Sequence, residues 1–212
     1  GTQIQYIRTH NDMITRKATT QLFETIKENN YISKLTDGRY NDLDCYAGYW
    51  RFCNRDDEGK IFEKSEKAFM SMLSCDKVDD YKSSYNAPKG DIIIFDEFIS
   101  MNRYTPRDEF IHFMDIVKTI KRGRLSVKIF MLANTIDKEN RYFDELGIYE
   151  EIHRLKYGSA ILCQNKENAT SVFLAWLKDS EVQDDKTIRE KFTDNLNYFN
   201  FKNKKLASIR GG

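Results

Sequence analysis

The segment Asp91 to Phe95, DIIIF, constrains this chain most, because an apolar run without alternation suits a strand covered on both faces, not one with a wet side. A second run of the same kind, VKIFML, spans Val127 to Leu132 and ends at Ala133 and Asn134. Between the two, Thr105, Pro106 and Asp108 form a helix-start signature of capping hydroxyl, proline and acid. Phe110, Phe113, Met114 and Val117 then mark a buried helix face that runs out at Lys121, Arg122, Gly123 and Arg124. Strand, helix and strand in that order predict a βαβ unit with parallel strands, and so an α/β fold built on a mostly parallel sheet flanked by helices.

The remaining segments are placed around that unit. Residues 3 to 8, QIQYIR, predict a strand, and the repeat of Ile14, Ala18, Leu22 and Ile26 predicts an amphipathic helix capped by Asn11 or Asp12. Residues 46 to 64 predict an inserted β-hairpin whose polar loop ends in Gly59, and AFMSML at 68 to 73 predicts another strand. CDKVDDYKSSYNAPKG is expected to be a loop, 149 to 155 a strand, and Ala169 to Leu177 a helix.

The whole of 1–212 is expected to form a single domain, since 212 residues with 40% apolar and 13% aromatic content support one substantial core. Lys and Arg total 34 against 33 Asp and Glu, so a nucleic acid would have to be held by a local patch and not by a global field. Cys45, Cys53, Cys75 and Cys163 form no CxxC pair and match no histidine spacing, which points away from zinc sites and disulfide frameworks and towards a reducing compartment. His10, His112 and His153 are scattered and are read as structural or surface residues. No apolar run approaches the roughly 20 residues that cross a bilayer.

Asp96 and Glu97 end the DIIIF strand, and ligands of open α/β sheets bind beyond the carboxyl ends of strands. ATP hydrolysis requires one carboxylate to hold the magnesium shell and a second to orient the attacking water, roles that suit Asp96 and Glu97 in that order. The same pattern is also that of a buried strand ending in two solvated acids. Asn134 would emerge beside the pair, where an amide can sense a terminal phosphate, although asparagine at a strand end is also an ordinary turn former. Lys121, Arg122 and Arg124 lie at the opposite end of the intervening helix. They suit either a neighbouring subunit's nucleotide or the negative end of the helix dipole.

With DIIIFDEFIS, the basic helix end and MLAN in place, the sequence resembles the phi-twenty-nine-like phage DNA encapsidation proteins, the packaging ATPases of small tailed phages. The likeness begins at IQYIR and continues through GYWRFCNRDDEGKIF and KSSYNAPKGDIIIFDEFI to MLANTIDKENRYF. It implies an additional-strand P-loop ATPase whose subunits form a homo-oligomeric ring at the portal of a prohead in the host bacterial cytoplasm, driving double-stranded DNA inward with ATP and Mg²⁺. Asp96 and Glu97 then match the Walker B pair, and Asp96 would hold magnesium through water. Asn134 matches the residue after the next strand, and Arg122 and Arg124 lie where the family carries its intersubunit arginine. Arg8 and Lys82 fall near segments that face the DNA channel in such motors.

No GxxxxGK[ST] occurs in these residues, so the loop that wraps phosphates in this family is expected upstream of Gln3, and this chain is expected to be inactive alone. Residues 178–212 are expected to form the lid or linker at the end of the ATPase core. The alternative is a non-catalytic module with the same fold, which would hold nucleic acid through Arg8, Lys82 and the basic tail around Lys202, Lys204 and Lys205.

Overall fold

The computed structural model describes residues 3–84, 90–99, 108–122, 127–133, 137–165 and 170–177. They belong to two compact units, Gly1–Asp137 and Lys138–Gly212. The first unit is built on a seven-stranded sheet whose parallel part carries the expected strands. β1 (Gln3–Arg8) lies between β5 (Met70–Ser74) and β6 (Gly90–Asp96), and β7 (Lys128–Leu132) pairs with the other edge of β6, all parallel. The expected hairpin is present and larger than the sequence indicates. β2 (Asp42–Tyr46), β3 (Tyr49–Arg55) and β4 (Ile61–Lys64) pair antiparallel, and β3 joins the sheet against β5.

Successive residues of a strand point to opposite faces, so the register assigns each side chain to a layer. Tyr6 stands beside Met72 and Ile94, whereas Ile7 stands beside Leu73 and Phe95. The first face packs a core of Tyr6, Trp50, Met70 and Met72 against Ile14, Phe23 and Ile32. The Phe23 and Trp50 rings lie 4.6 Å apart, and the Trp50 indole donates to the Met72 sulfur at 3.3 Å. The second face is covered by α5 (Glu109–Lys121), described further below, whose Phe113 ring stacks on Phe95 at 4.7 Å. Ile116, Val117 and Ile120 are buried along the same helix.

Several local expectations are corrected. The helix foreseen from Asn11 is instead a 3-10 turn at Asn11–Ile14 followed by three short helices, α1 (Arg16–Thr20), α2 (Glu24–Glu28) and α3 (Tyr31–Leu35). Thr15, not Asn11 or Asp12, supplies the side-chain cap, accepting from the Ala18 amide at 3.2 Å. Phe23 is buried while Leu22 is 42% exposed, so the inward stripe follows Ile14, Thr19 and Phe23 and not the four-residue repeat. The stretch expected to be a loop contains α4 (Val78–Ser84), with Asp79 and Asp80 in its first turn, where they complement the positive end of the helix. Val78 is its buried anchor, and the Tyr81 hydroxyl accepts from the Ser74 amide at 3.1 Å. Helix α5 begins after Asp108, without a side-chain cap. Thr105 and Pro106 lie outside the described residues.

In the second unit, α6 (Arg141–Glu145) is capped by the Asn140 side chain, and α7 (Tyr149–Arg154) occupies the segment expected to be a strand. Glu150 and Glu151 in its first turn and His153 and Arg154 in its last favour the helix, as does the Arg154–Glu150 pair at 2.8 Å. The expected helix at 169–177 is instead β9 (Thr170–Ala175), paired antiparallel with β8 (Ala160–Asn165). Its run of Thr, Val and Phe fits a pleated surface better than a helix. The four cysteines are buried thiols, and among the described residues no helix is long and apolar enough to cross a membrane.

Acid should loosen the antiparallel flank first. Burial works against the charged forms of Asp42 and Asp44, but Lys27 and Arg55 at Asp42, and Lys64, Arg16 and Arg55 at Asp44, more than offset it and hold both carboxyls below their ordinary value of 3.8. Their contribution is complete above that value and lost as pH falls through the lower folded values. Urea midpoints should therefore drop on acidification below about pH 4, and drop less in Asp44→Asn. On the opposite face, Phe113→Ala should lower the unfolding free energy by about 3–5 kcal/mol in the same assay.

Candidate active site

β1 and β6 run parallel and end at the same edge of the sheet, which places the last residues of both strands side by side. Tyr6, Arg8 and Asp96 follow the alternation onto one face, and Glu97 is the first residue beyond the strand. Arg8 Nη1 donates to Asp96 Oδ2 at 2.6 Å, and Nη2 donates to Glu97 Oε2 at 2.5 Å. One planar fork thus spans two consecutive carboxylates, a geometry that a point-charge ammonium cannot reproduce. Tyr6 donates its hydroxyl to the same Asp96 Oδ2 at 2.6 Å, and Arg8 Nη1 lies 3.3 Å from the Tyr6 oxygen. Burial would lower the Arg8 pKa, but Tyr6 and the two carboxylates raise it above the ordinary arginine value. The guanidinium therefore stays charged at every pH the fold survives.

The backbone at Glu97 is left-handed, with φ of 52°. A non-glycine residue there is strained, and such strain concentrates at ligand sites and switch regions. The turn is held because the next amide, Phe98, donates to the Leu132 carbonyl at the end of β7 at 3.1 Å. Beneath it, the buried Thr9 hydroxyl donates to buried Glu109 at 2.6 Å, which ties the end of β1 to the first turn of α5.

The acidic pair opens onto a cavity of about 530 Å³, whose lining places Asp12 and Gln21 from the 3-10 and helical segment together with Arg8, Asp96 and Glu97. Among the described lining residues, Asp12, Asp96 and Glu97 stand against the Arg8 guanidinium, an acidic balance that favours a cation. Hard carboxylate oxygens are the ligands magnesium prefers, and one or two suffice when water and phosphate complete its shell. The residues present fit such an ion.

The other expected site residues separate from this group. Helix α5 starts at the carboxyl edge and runs for 13 residues to Lys121. At 1.5 Å per residue, Arg122 therefore lies about 20 Å along the helix from its start at the acidic edge. There its guanidinium donates to the Lys82 carbonyl at 3.1 Å. Lys82 is paired with Asp115 at 2.9 Å and Asp79 at 3.3 Å, which raise its pKa. Arg8, expected near a DNA channel, pairs with both acids. Asn134 and Arg124 lie outside the described residues. Tyr6 was missed from the sequence, where its place two residues before Arg8 on a strand is the one available signal.

This arrangement can be set beside solved structures. The N-terminal domain of the DNA packaging ATPase from bacteriophage phi29 is similar at a TM-score of 0.53 and 18% identity, over 87% of this chain and 78% of that one. This is the fold of that packaging-ATPase domain. The bacteriophage phi29 viral genome packaging motor assembly is similar at a TM-score of 0.56 and 18% identity, over 93% of this chain and 52% of that one. The phi28 DNA packaging motor is similar at 0.50 and 20%, over 99% and 58%. The chain therefore spans about half the length of the motor chains it resembles. No family model and no curated protein matches the sequence.

The Arg8 fork should matter to folding because it is what neutralises two adjacent acids. Arg8→Met is expected to cost about 1–3 kcal/mol in chemical denaturation, and Arg8→Lys to recover less than half of that loss.

Proposed function

We propose that this chain is part of the ATP-hydrolysing core of a phage DNA-packaging motor of the phi29 type. The observation that carries this reading is the pair Asp96 and Glu97 at the carboxyl end of a central parallel strand, opening on an acidic cavity within the packaging-ATPase fold. In it Asp96 would hold the water shell of magnesium, and Glu97 would orient the water that attacks the terminal phosphate. Bound magnesium would neutralise charge that builds on the phosphoryl oxygens.

The residues of this chain carry the rest. The Glu97 carboxylate can act on a water only through an oxygen that Arg8 does not hold, so the strength of the Arg8 pair sets how available the acid is. Arg122 is too far along α5 to reach a phosphate beside its own Asp96. It acts in this reading on the nucleotide of a neighbouring copy in a ring, a role shared with Arg124, while Asn134 senses the terminal phosphate. Double-stranded DNA is the substrate moved towards a portal, gripped through phosphates by basic side chains that include Lys82. The phosphate-wrapping loop would come from a segment preceding Gln3.

The decisive comparison is magnesium-dependent ATP binding and hydrolysis by this chain and by a version extended upstream by about one βα unit of ~30 residues. Activity that appears in the extended protein supports the reading. In that protein Glu97→Gln should retain nucleotide and lose hydrolysis by at least ~100-fold, whereas Asp96→Ala should also weaken metal-dependent binding. Unchanged hydrolysis in Glu97→Gln would sink the assignment. Salt-sensitive DNA binding with no nucleotide effect in either protein would transfer the chain to a DNA-holding role.

A further inference from the structure

We infer that Tyr6 is a positioning residue for Asp96: its hydroxyl fixes one carboxylate oxygen, so that the other is presented to a divalent cation in the cavity. The inference rests on the proposed metal-holding role of Asp96.

Among the described residues Asp96 has two side-chain partners, and they differ in kind. Arg8 reaches it on a long side chain whose second nitrogen is committed to Glu97. Tyr6 reaches it on a rigid ring only 5% exposed, wedged in the core with Ile14, Phe23 and Met72. A ring with two torsions, both held by packing, locates an oxygen more sharply than a guanidinium with four. Both partners converge on Oδ2, so the carboxylate is held from one side and cannot rotate without breaking two short bonds. Hydrogen bonds of this kind orient ligating carboxylates elsewhere, and their loss costs roughly 10–100-fold in metal affinity.

The strand register accounts for the placement. Tyr6 stands opposite Ile94, and Asp96 lies two residues further along the same face of β6. The aromatic ring therefore leans along the sheet towards the strand end, and its hydroxyl arrives at the carboxylate.

The test uses the whole chain and Mn²⁺ as the probe, followed by paramagnetic broadening of backbone amide signals around Asp96 during titration. Tyr6→Phe deletes only the hydroxyl and keeps the ring. It is expected to weaken Mn²⁺ binding about tenfold while the thermal midpoint stays close to that of the unmodified chain. Asp96→Asn should abolish the site. If Asp96→Asn removes binding and Tyr6→Phe leaves it unchanged, the positioning role is overturned and the metal role of Asp96 stands. If the unmodified chain shows no broadening around Asp96, or Asp96→Asn does not alter it, both fall. If Tyr6→Phe weakens binding only in step with a lower thermal midpoint, the hydroxyl acts on the fold and the inference is wrong.

Discussion

The parallel pairing of β1 with β6 is the constraint on which the rest of the molecule depends. Both strands are covered on both faces, by the helical segment 11–35 on one side and by α5 on the other. Side-chain direction alternates strictly, so a slip of one residue would carry Arg8 and Tyr6 to the α5 face and Ile7 to the face of the helical segment 11–35. The apolar layers therefore enforce the register, and the register puts a guanidinium and a phenol on a carboxylate. The geometry around Asp96 is here a by-product of hydrophobic packing.

Charge separates the two ends of the same framework. At the carboxyl edge the described lining of the cavity sets Asp12, Asp96 and Glu97 against Arg8, and the backbone at Glu97 is held in a left-handed turn by its link to β7. At the other end of α5, Arg122 and Lys82 meet, with Lys82 compensated by Asp79 and Asp115. One helix thus carries a buried acid, Glu109, at its start and basic groups at its finish, which suits its dipole at both ends.

Much of the parallel sheet was legible in the sequence. DIIIF announces itself because a strand buried on both faces must be apolar along its length. QIQYIR carries Gln3, Gln5 and Arg8 among its apolar residues, and KIFML, expected to be buried like DIIIF, is instead the edge strand and leaves Ile129, Phe130 and Leu132 exposed. The flank was less readable. DLDCY mixes acids with apolar residues, and only the cations brought in from Lys27, Arg16, Arg55 and Lys64 explain how Asp42 and Asp44 are tolerated there. VDDYKSS looks like a loop because one apolar residue, Val78, is enough to anchor a two-turn helix whose acids sit at its positive end. At 149–154 and 170–175 helix and strand were exchanged, since short segments take their state from the partner they find, here a helix of opposed terminal charges and a hairpin with β8.

For the candidate site the division is sharper. The sequence alone determined that two acids terminate a buried strand, that a basic cluster follows the next helix, and that the order of segments is that of a packaging ATPase. Only the tertiary structure decided what stands beside those acids. Arg8 and Tyr6 are 88 and 90 residues away from Asp96 along the chain, and nothing local couples them. Their meeting is set by which strand becomes the neighbour of β6 and in which register, and that choice is made by the packing of two helical layers on opposite faces of the sheet.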